Sequence, residues 1–230
     1  MFNKGMPEKN FSQSYDKHIY ITIPYYQSFY NETINMVKAS GISPRVWLDT
    51  GCGTGTLVRK AAEIFPDTLF LLSDPSAEML AMAAGKLKDL PEAHVKFLPT
   101  GTTEEVSLDQ DERPDVVTAV QCHHYLDHAR RKRSTEKCLE LLKKGGIYIT
   151  FENIMPLTAE GTETGKENWK SFQIASGKTA DEAAKHVKRF NVEYFPITIE
   201  EHLSLLRACG FSVVEMLWYS YMQAGFYGIK

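Results

Sequence analysis

A doubly wound, mostly parallel α/β sheet is the fold this sequence predicts, on three observations. Short apolar runs alternate with helical runs along residues 45–153, a glycine-rich loop follows the first apolar run, and the chain closes with a helix and two β-rich runs near enough to pair as a hairpin. The 230 residues, 43% apolar and 11% aromatic, suffice for one substantial core, so 1–230 reads as a single domain.

The elements follow in order. RVWLD at 45–49 reads as a short buried strand; TLVRKAAEIF at 56–65 places Leu57, Ala61 and Ile64 at helical spacing, and Pro66 and Asp67 stop it. TLFLLSD at 68–74 is a second strand, SAEMLAMAAGKLKDL at 76–90 a second helix, and HVKFLP at 94–99 a third strand. DVVTAVQ at 115–121 is a fourth strand, ARRKRSTEKCLELLKK at 129–144 a helix stopped by Gly145 and Gly146, and GIYITFEN at 146–153 a fifth strand. Strands and helices in alternation give βαβ units and a parallel sheet covered on both faces. Thr198 is the expected N-cap of a late helix, with Glu201 at the capping-box position and Gly210 near its end; SVVEMLWYS and QAGFYGIK then form an antiparallel hairpin. Two regions stand outside the alternation: the tyrosine-rich residues 1–40, read as a helical lid, and a largely helical insertion at about 155–195. Both are expected over the carboxyl ends of the strands, where open α/β sheets bind ligands.

The loop LDTGCGTGTL carries the chemistry. Gly51 and Gly53 fit the start of a dinucleotide fingerprint, but Thr56 stands where its third glycine belongs and Gly55 falls out of pattern; no P-loop lysine follows either. Asp49, at the end of the first strand, would repel a phosphate and attract an ammonium. Asp74 follows Gly51 by 23 positions, near the spacing at which an acid meets ribose hydroxyls in nucleoside-binding βαβ units. A nucleoside joined to a cationic amino acid satisfies both acids, and S-adenosyl-L-methionine is such a ligand.

Other function classes lose ground on composition. A formal charge of −3 gives no global basic field for nucleic acid. Cys52, Cys122, Cys138 and Cys209 form no zinc spacing, and the first residues carry no apolar leader, so a soluble cytoplasmic protein with reduced thiols is expected. His124 and His128 stand four apart with Asp127 between them, yet no metal site is expected there. The basic run ARRKR at 129–133 reads as a solvated helix start, with contact to RNA phosphate the alternative.

VWLDTGCGTGTL, LLSDPSAEML, DVVTAVQCHHYLD and LLKKGGIYITFEN, in order over roughly residues 45–154, resemble the successive motifs of class I S-adenosylmethionine-dependent methyltransferases. The resemblance implies a Rossmann-like, seven-stranded sheet with an antiparallel C-terminal strand. It also implies that Asp49, Gly51 and Gly53 surround the methionine end of the cofactor, with the backbone of Cys52 and with Gly55 in the same loop. Asp74 would hold the ribose, Pro75 and Met79 would pack near the adenosine, Thr102 and Thr103 would lie at the adenine edge, and Gln121 would close the pocket. Thr102 departs from the acid usual in the family. His123 or His124 would act as general base or orient a substrate, one pointing inward and the other not; the alternative is that they close the loop by hydrogen bonds. The stretches at 11–30 and 207–230 are similar to small-molecule methyltransferases and to the carboxy-S-adenosylmethionine synthases that act before tRNA wobble-uridine modification.

The expected activity is methyl transfer to a small-molecule acceptor, with a homodimer left open. A carboxy-S-adenosylmethionine synthase would need a further cation, for which Arg189 is the candidate; a non-catalytic binding module is the remaining alternative. Tyr15 and Tyr20 are expected to line the entrance, with Tyr25, Tyr26 and Tyr30 in the same aromatic segment.

Overall fold

The computed structural model describes residues 16–230, and its sheet runs in the strand order β3-β2-β1-β4-β5-β7-β6. These strands are β1 (Val46–Thr50), β2 (Leu69–Ser73), β3 (Val95–Phe97), β4 (Val116–Val120), β5 (Ile147–Asn153), β6 (Val213–Ser220) and β7 (Gln223–Ile229). Pairings from β3 through β5 are parallel, and β7 runs antiparallel to both β5 and β6. β6 and β7 form the expected hairpin across a two-residue turn in which Tyr221 takes a left-handed φ of 53°.

Helices cover both faces. They are α1 (Tyr26–Ala39), α2 (Thr56–Ile64), α3 (Ala77–Leu87), α4 (His128–Leu141), α5 (Ala159–Ala175), α6 (Ala180–Val187) and α7 (Ile199–Cys209). Alternation along β1 sends Trp47 into one core layer and Leu48 into the other. The first layer gathers Phe29, Trp47, Phe70 and Phe151, with Phe29 and Phe151 stacked at 4.7 Å; the second gathers Leu48, Leu71, Val117, Tyr148 and Phe226. Local signals held: Thr198 and Glu201 form the capping box of α7, and Gly210 closes it at φ 104°.

β1 lies between β2 and β4, with Asp49 opposite Leu72 on one side and Thr118 on the other. The strand order reverses there, and it is beyond the carboxyl ends of the strands at such a reversal that open α/β sheets form a ligand crevice.

The tyrosine-rich segment divides. α1 turns Phe29, Tyr30, Thr33, Ile34 and Val37 into the core, with Phe29 and Val37 fully buried, so this part of the expected lid is a fixed core helix. Of the rest, residues 16–25 are described, with helix over 16–20, and they are fastened by the buried Trp169 indole of α5, which donates to the Thr22 carbonyl at 2.7 Å. No helix among the described residues is long and apolar enough to cross a membrane.

Candidate active site

A cavity of about 500 Å³ opens at the crevice, floored by the loops after β1, β2 and β4 and walled by residues 16–30 and 186–194. That volume lies in the range of small-molecule sites.

At the floor, Gly51 has φ 65°, and a Cβ there would stand 2.5 Å from the Cβ of Cys122, so only glycine lets the two loops meet. Gly53 has φ 54° with nothing within 4 Å of its absent Cβ, which leaves its backbone open to a ligand. Gly55 caps α2 at φ 71°, and its absent side chain admits Ala83 and Leu87 of α3; it packs helices and does not line the cavity.

Asp49 is 2% exposed, and the Thr118 hydroxyl donates to its Oδ1 at 2.6 Å, while Trp47 Nε1 donates in turn to Thr118. Burial raises the Asp49 carboxyl to about 7, with the negative charge of Asp74 adding to the effect and the Thr118 hydrogen bond opposing it. A buried acid held near neutrality and facing a cavity fits a cationic ligand group, which would return it to the carboxylate form. Asp74 accepts the Gly53 N–H at 2.9 Å and the Ser76 N–H at 2.8 Å, so the second acid is locked to the glycine loop itself. Pro75, Met79, Cys52 and Gln121 line the same space, Gln121 through a left-handed backbone at φ 56°.

Thr102 and Thr103 are not on the cavity wall. Thr102 caps the turn Thr103–Glu105, its hydroxyl donating to Glu105, and Thr103 is buried against Thr50 at 2.7 Å and His123 at 3.0 Å. Tyr15 lies outside the described residues. Tyr20 packs edge-on against Tyr26 at 6.0 Å, and the cavity is lined by Ile19, Ile23, Tyr26 and Tyr30 instead.

The two histidines, both buried, differ in their partners. His123 has Nε2 on Thr103 and Nδ1 on the Tyr148 hydroxyl at 3.2 Å; burial lowers it to about 4, so it is neutral and structural, which removes it as a catalytic candidate. His124 lines the cavity. Its Nδ1 stands 2.6 Å from Oε2 of Glu152, and its Nε2 has no hydrogen-bond partner among the described residues. Glu152, 1% exposed at the end of β5, also accepts the backbone N–H groups of His123 and His124 and the hydroxyl of Thr150. Burial pushes Glu152 up, but the His124 hydrogen bond and the surrounding imidazoles outweigh it and bring it to about 2. An ionised carboxylate on Nδ1 directs the proton there and leaves Nε2 as an acceptor toward the cavity. Glu152 escaped the sequence reading, although a glutamate ending an apolar strand was its signal.

A metal-binding reading of His124 and His128 has no geometry behind it: His124 sits in the turn His123–Tyr125, and His128 is exposed at the start of α4. Of the basic run only Arg131 is withdrawn from the surface, and Arg130, Lys132 and Arg133 stay exposed. Arg131 is buried and donates to the carbonyls of His123, Leu126 and Phe195, while Arg130 and Arg133 pair with Glu104.

Comparison with known proteins bears on the fold and the family. A methyltransferase domain family matches residues 48–148. Carboxy-S-adenosyl-L-methionine synthase of Trichodesmium erythraeum is 23% identical over 224 residues, 94% of this chain and 87% of that protein. Malonyl-[acyl-carrier protein] O-methyltransferase of Halalkalibacterium halodurans is 30% identical over 138 residues, 58% of this chain and 45% of its own length. Human N-acetylserotonin methyltransferase, solved with S-adenosylmethionine, superposes with a TM-score of 0.59 at 15% identity, covering 87% of this chain; the chain spans about half of it, 51%.

Proposed function

From the match of residues 48–148 to a methyltransferase domain family, we propose that the chain is a class I S-adenosylmethionine-dependent methyltransferase that transfers the cofactor's methyl group to a small-molecule acceptor in the cytoplasm. The observation that carries this is the pair of acids on one glycine loop: Asp49, buried with a carboxyl near 7, and Asp74, tied to Gly53, both facing the cavity.

In this scheme Asp49 faces the ammonium group and Asp74 the ribose hydroxyls, and Pro75 and Met79 pack the adenosine. When bound, the cofactor supplies an activated methyl group whose transfer leaves the carbon–sulfur electron pair on a neutral thioether. The protein excludes water with residues 16–30 and holds the acceptor in line, and such orientation is worth on the order of 7 to 11 kcal/mol. His124 Nε2 receives the proton when the acceptor sheds one, and Glu152 balances the imidazolium that results.

A second reading, carboxy-S-adenosylmethionine synthesis, is favoured by a similarity that extends over 94% of the chain and by the Arg189 side chain in the cavity wall. S-adenosylmethionine with a trideuterated methyl group separates the two by mass spectrometry. Methyl transfer to a panel of small nucleophiles gives a product with all three deuteriums. Carboxylation, run with a carboxyl donor supplied beside the cofactor, instead exchanges one methyl deuterium, released as a deuteron, for the donor's carboxyl group and gives a modified cofactor that keeps two.

A further inference from the structure

We infer that a single internal water, seated behind the active site against His202 of α7, completes the hydrogen bonds of Glu152 and makes His202 a positioning residue for His124. The positioning role rests on His124 being the proton acceptor of methyl transfer; the water does not.

A polar group stands where the fold calls for an apolar one. The buried residues of α7 are His202 and Leu206, one turn apart, so a histidine takes the first of two core positions on that helix face. β5 is buried along its whole length and carries Tyr148, Thr150 and Glu152 on one face, at the strand period of two. Together with Arg131 of α4, 2% exposed, these side chains and His202 line a second cavity of about 10 Å³, the size of one water-sized sphere.

Donors and acceptors around this cavity do not balance. His202 is 4% exposed, its ring stacks on Phe226 at 4.7 Å, and its Nε2 has no hydrogen-bond partner among the described residues. Burial lowers His202 to about 4, so the ring is neutral near pH 7 and Nε2 is one donor or one acceptor. The Thr150 hydroxyl has a single proton, yet the Ala119 carbonyl lies 2.8 Å and Glu152 Oε1 2.9 Å from its oxygen. One of those two acceptors is left short. Arg131 uses its Nε and one terminal nitrogen on the carbonyls of His123, Leu126 and Phe195, and its other terminal nitrogen has no such bond among the described residues.

A water answers all three, because it both donates and accepts. It accepts from Arg131, meets His202 Nε2 in either tautomer, and donates to the acceptor that Thr150 leaves. An ion fits less well: a cation would stand against Arg131 and an anion against Glu152.

Glu152 carries the effect to the active site. Its Oε2 accepts the His124 N–H and faces Nδ1 of that ring at 2.6 Å, while Oε1 accepts the His123 N–H at 3.1 Å and competes for the Thr150 proton. A carboxylate whose lone pairs are all engaged is held in its plane and kept ionised. The water on the Oε1 side thus keeps the Oε2 side on His124.

The test uses the full chain without ligand. A crystal structure that resolves internal waters should show one between His202, Arg131 and the Thr150–Glu152 pair; a dry cavity, or an ion there, overturns the assignment before any variant is made. His202→Phe keeps a ring for Phe226 and removes Nε2, and His202→Gln restores a polar group. In nitrogen-15 spectra the ratio of Nδ1–H to Nε2–H at His124 should fall about threefold or more in His202→Phe and stay within about twofold of wild type in His202→Gln. A histidine that serves packing alone would leave His124 unchanged in His202→Phe. That result, or an equal fall in both variants, overturns the positioning role. S-adenosylhomocysteine titrated into the wild type is read separately: no binding there defeats the methyltransferase reading, and the positioning role with it, whatever the cavity holds.

Discussion

The two ends of the cavity are built by different means. At the glycine-loop end the functional groups belong to one βαβ unit, residues 46–79, and neighbouring backbone and strand fix them: Asp74 is held by the N–H groups of Gly53 and Ser76, and Asp49 is held by a hydroxyl on the adjacent strand. At the acceptor end the groups come from three distant segments, 122–126, 152–153 and 186–194, and side chains fix one another: Glu152 orients His124, Arg131 ties the Phe195 carbonyl to the turn at His123, and Tyr194 fills the centre. The first construction tolerates little change and suits one unvarying ligand. The second can be re-lined residue by residue, which suits a variable acceptor.

The largest effects of substitution are therefore expected at the glycine loop. Gly51→Ala forces a Cβ against Cys122 on a backbone with φ 65°, which should cost roughly 1 to 3 kcal/mol in strain alone and lower the midpoint of chemical denaturation accordingly. Gly53→Ala meets no neighbour and should cost about 1 kcal/mol. Equal losses at the two positions would show that the close approach to Cys122 is not what demands glycine.

Asp74→Ala comes next. Loss of hydrogen bonds to a charged acceptor costs about 1.5 to 3 kcal/mol, so S-adenosylhomocysteine affinity measured by calorimetry should fall about tenfold to a hundredfold. Asp49 gives a pH-dependent effect. Its folded carboxyl, at about 7, lies above the ordinary 3.8, so in the free protein it loses stability as pH rises between these values. Asp49→Asn should thus raise the melting temperature of the ligand-free protein at about pH 8 while weakening the cofactor. In wild type, affinity for the ammonium-bearing cofactor should improve as pH rises through about 7, and in Asp49→Asn that dependence should flatten.

Legibility in the sequence follows the same division. Asp49, Gly51, Gly53, Asp74, Pro75 and Met79 were readable because a βαβ unit places them together at the strand ends, and the mostly parallel sheet with its antiparallel end followed from alternation and the hairpin. Glu152, Thr118, His186 and Tyr194 were not, since their meeting depends on how β4, β5 and the helical insertion pack. Thr102 and Thr103 were placed by analogy with the family, and a capping box and a hydrogen bond to His123 claim them here. The aromatic count at 15–30 could not say which tyrosines form core: Tyr30 is 7% exposed and Tyr25 is 56% exposed.

Smaller effects sharpen the acceptor end and the lid. In wild-type protein, nitrogen-15 spectra should show His124 protonated at Nδ1 with Nε2 bare, and Glu152→Gln should shift that tautomer balance; an unchanged spectrum would remove the carboxylate's orienting role. Hydrogen exchange should slow on cofactor binding across residues 16–21 only. α1 should be protected with and without ligand, because Phe29 and Val37 are already in the core.

A crystal structure of the protein with S-adenosylhomocysteine tests the central claim most directly. The account predicts the ribose hydroxyls on Asp74, the amino group beside Asp49 and the sulfur facing the His124 side of the cavity, with Arg189 free of the ligand. A nucleoside seated among Tyr194, His186 and Arg189, with Asp74 bonded only to Gly53 and Ser76, would contradict it.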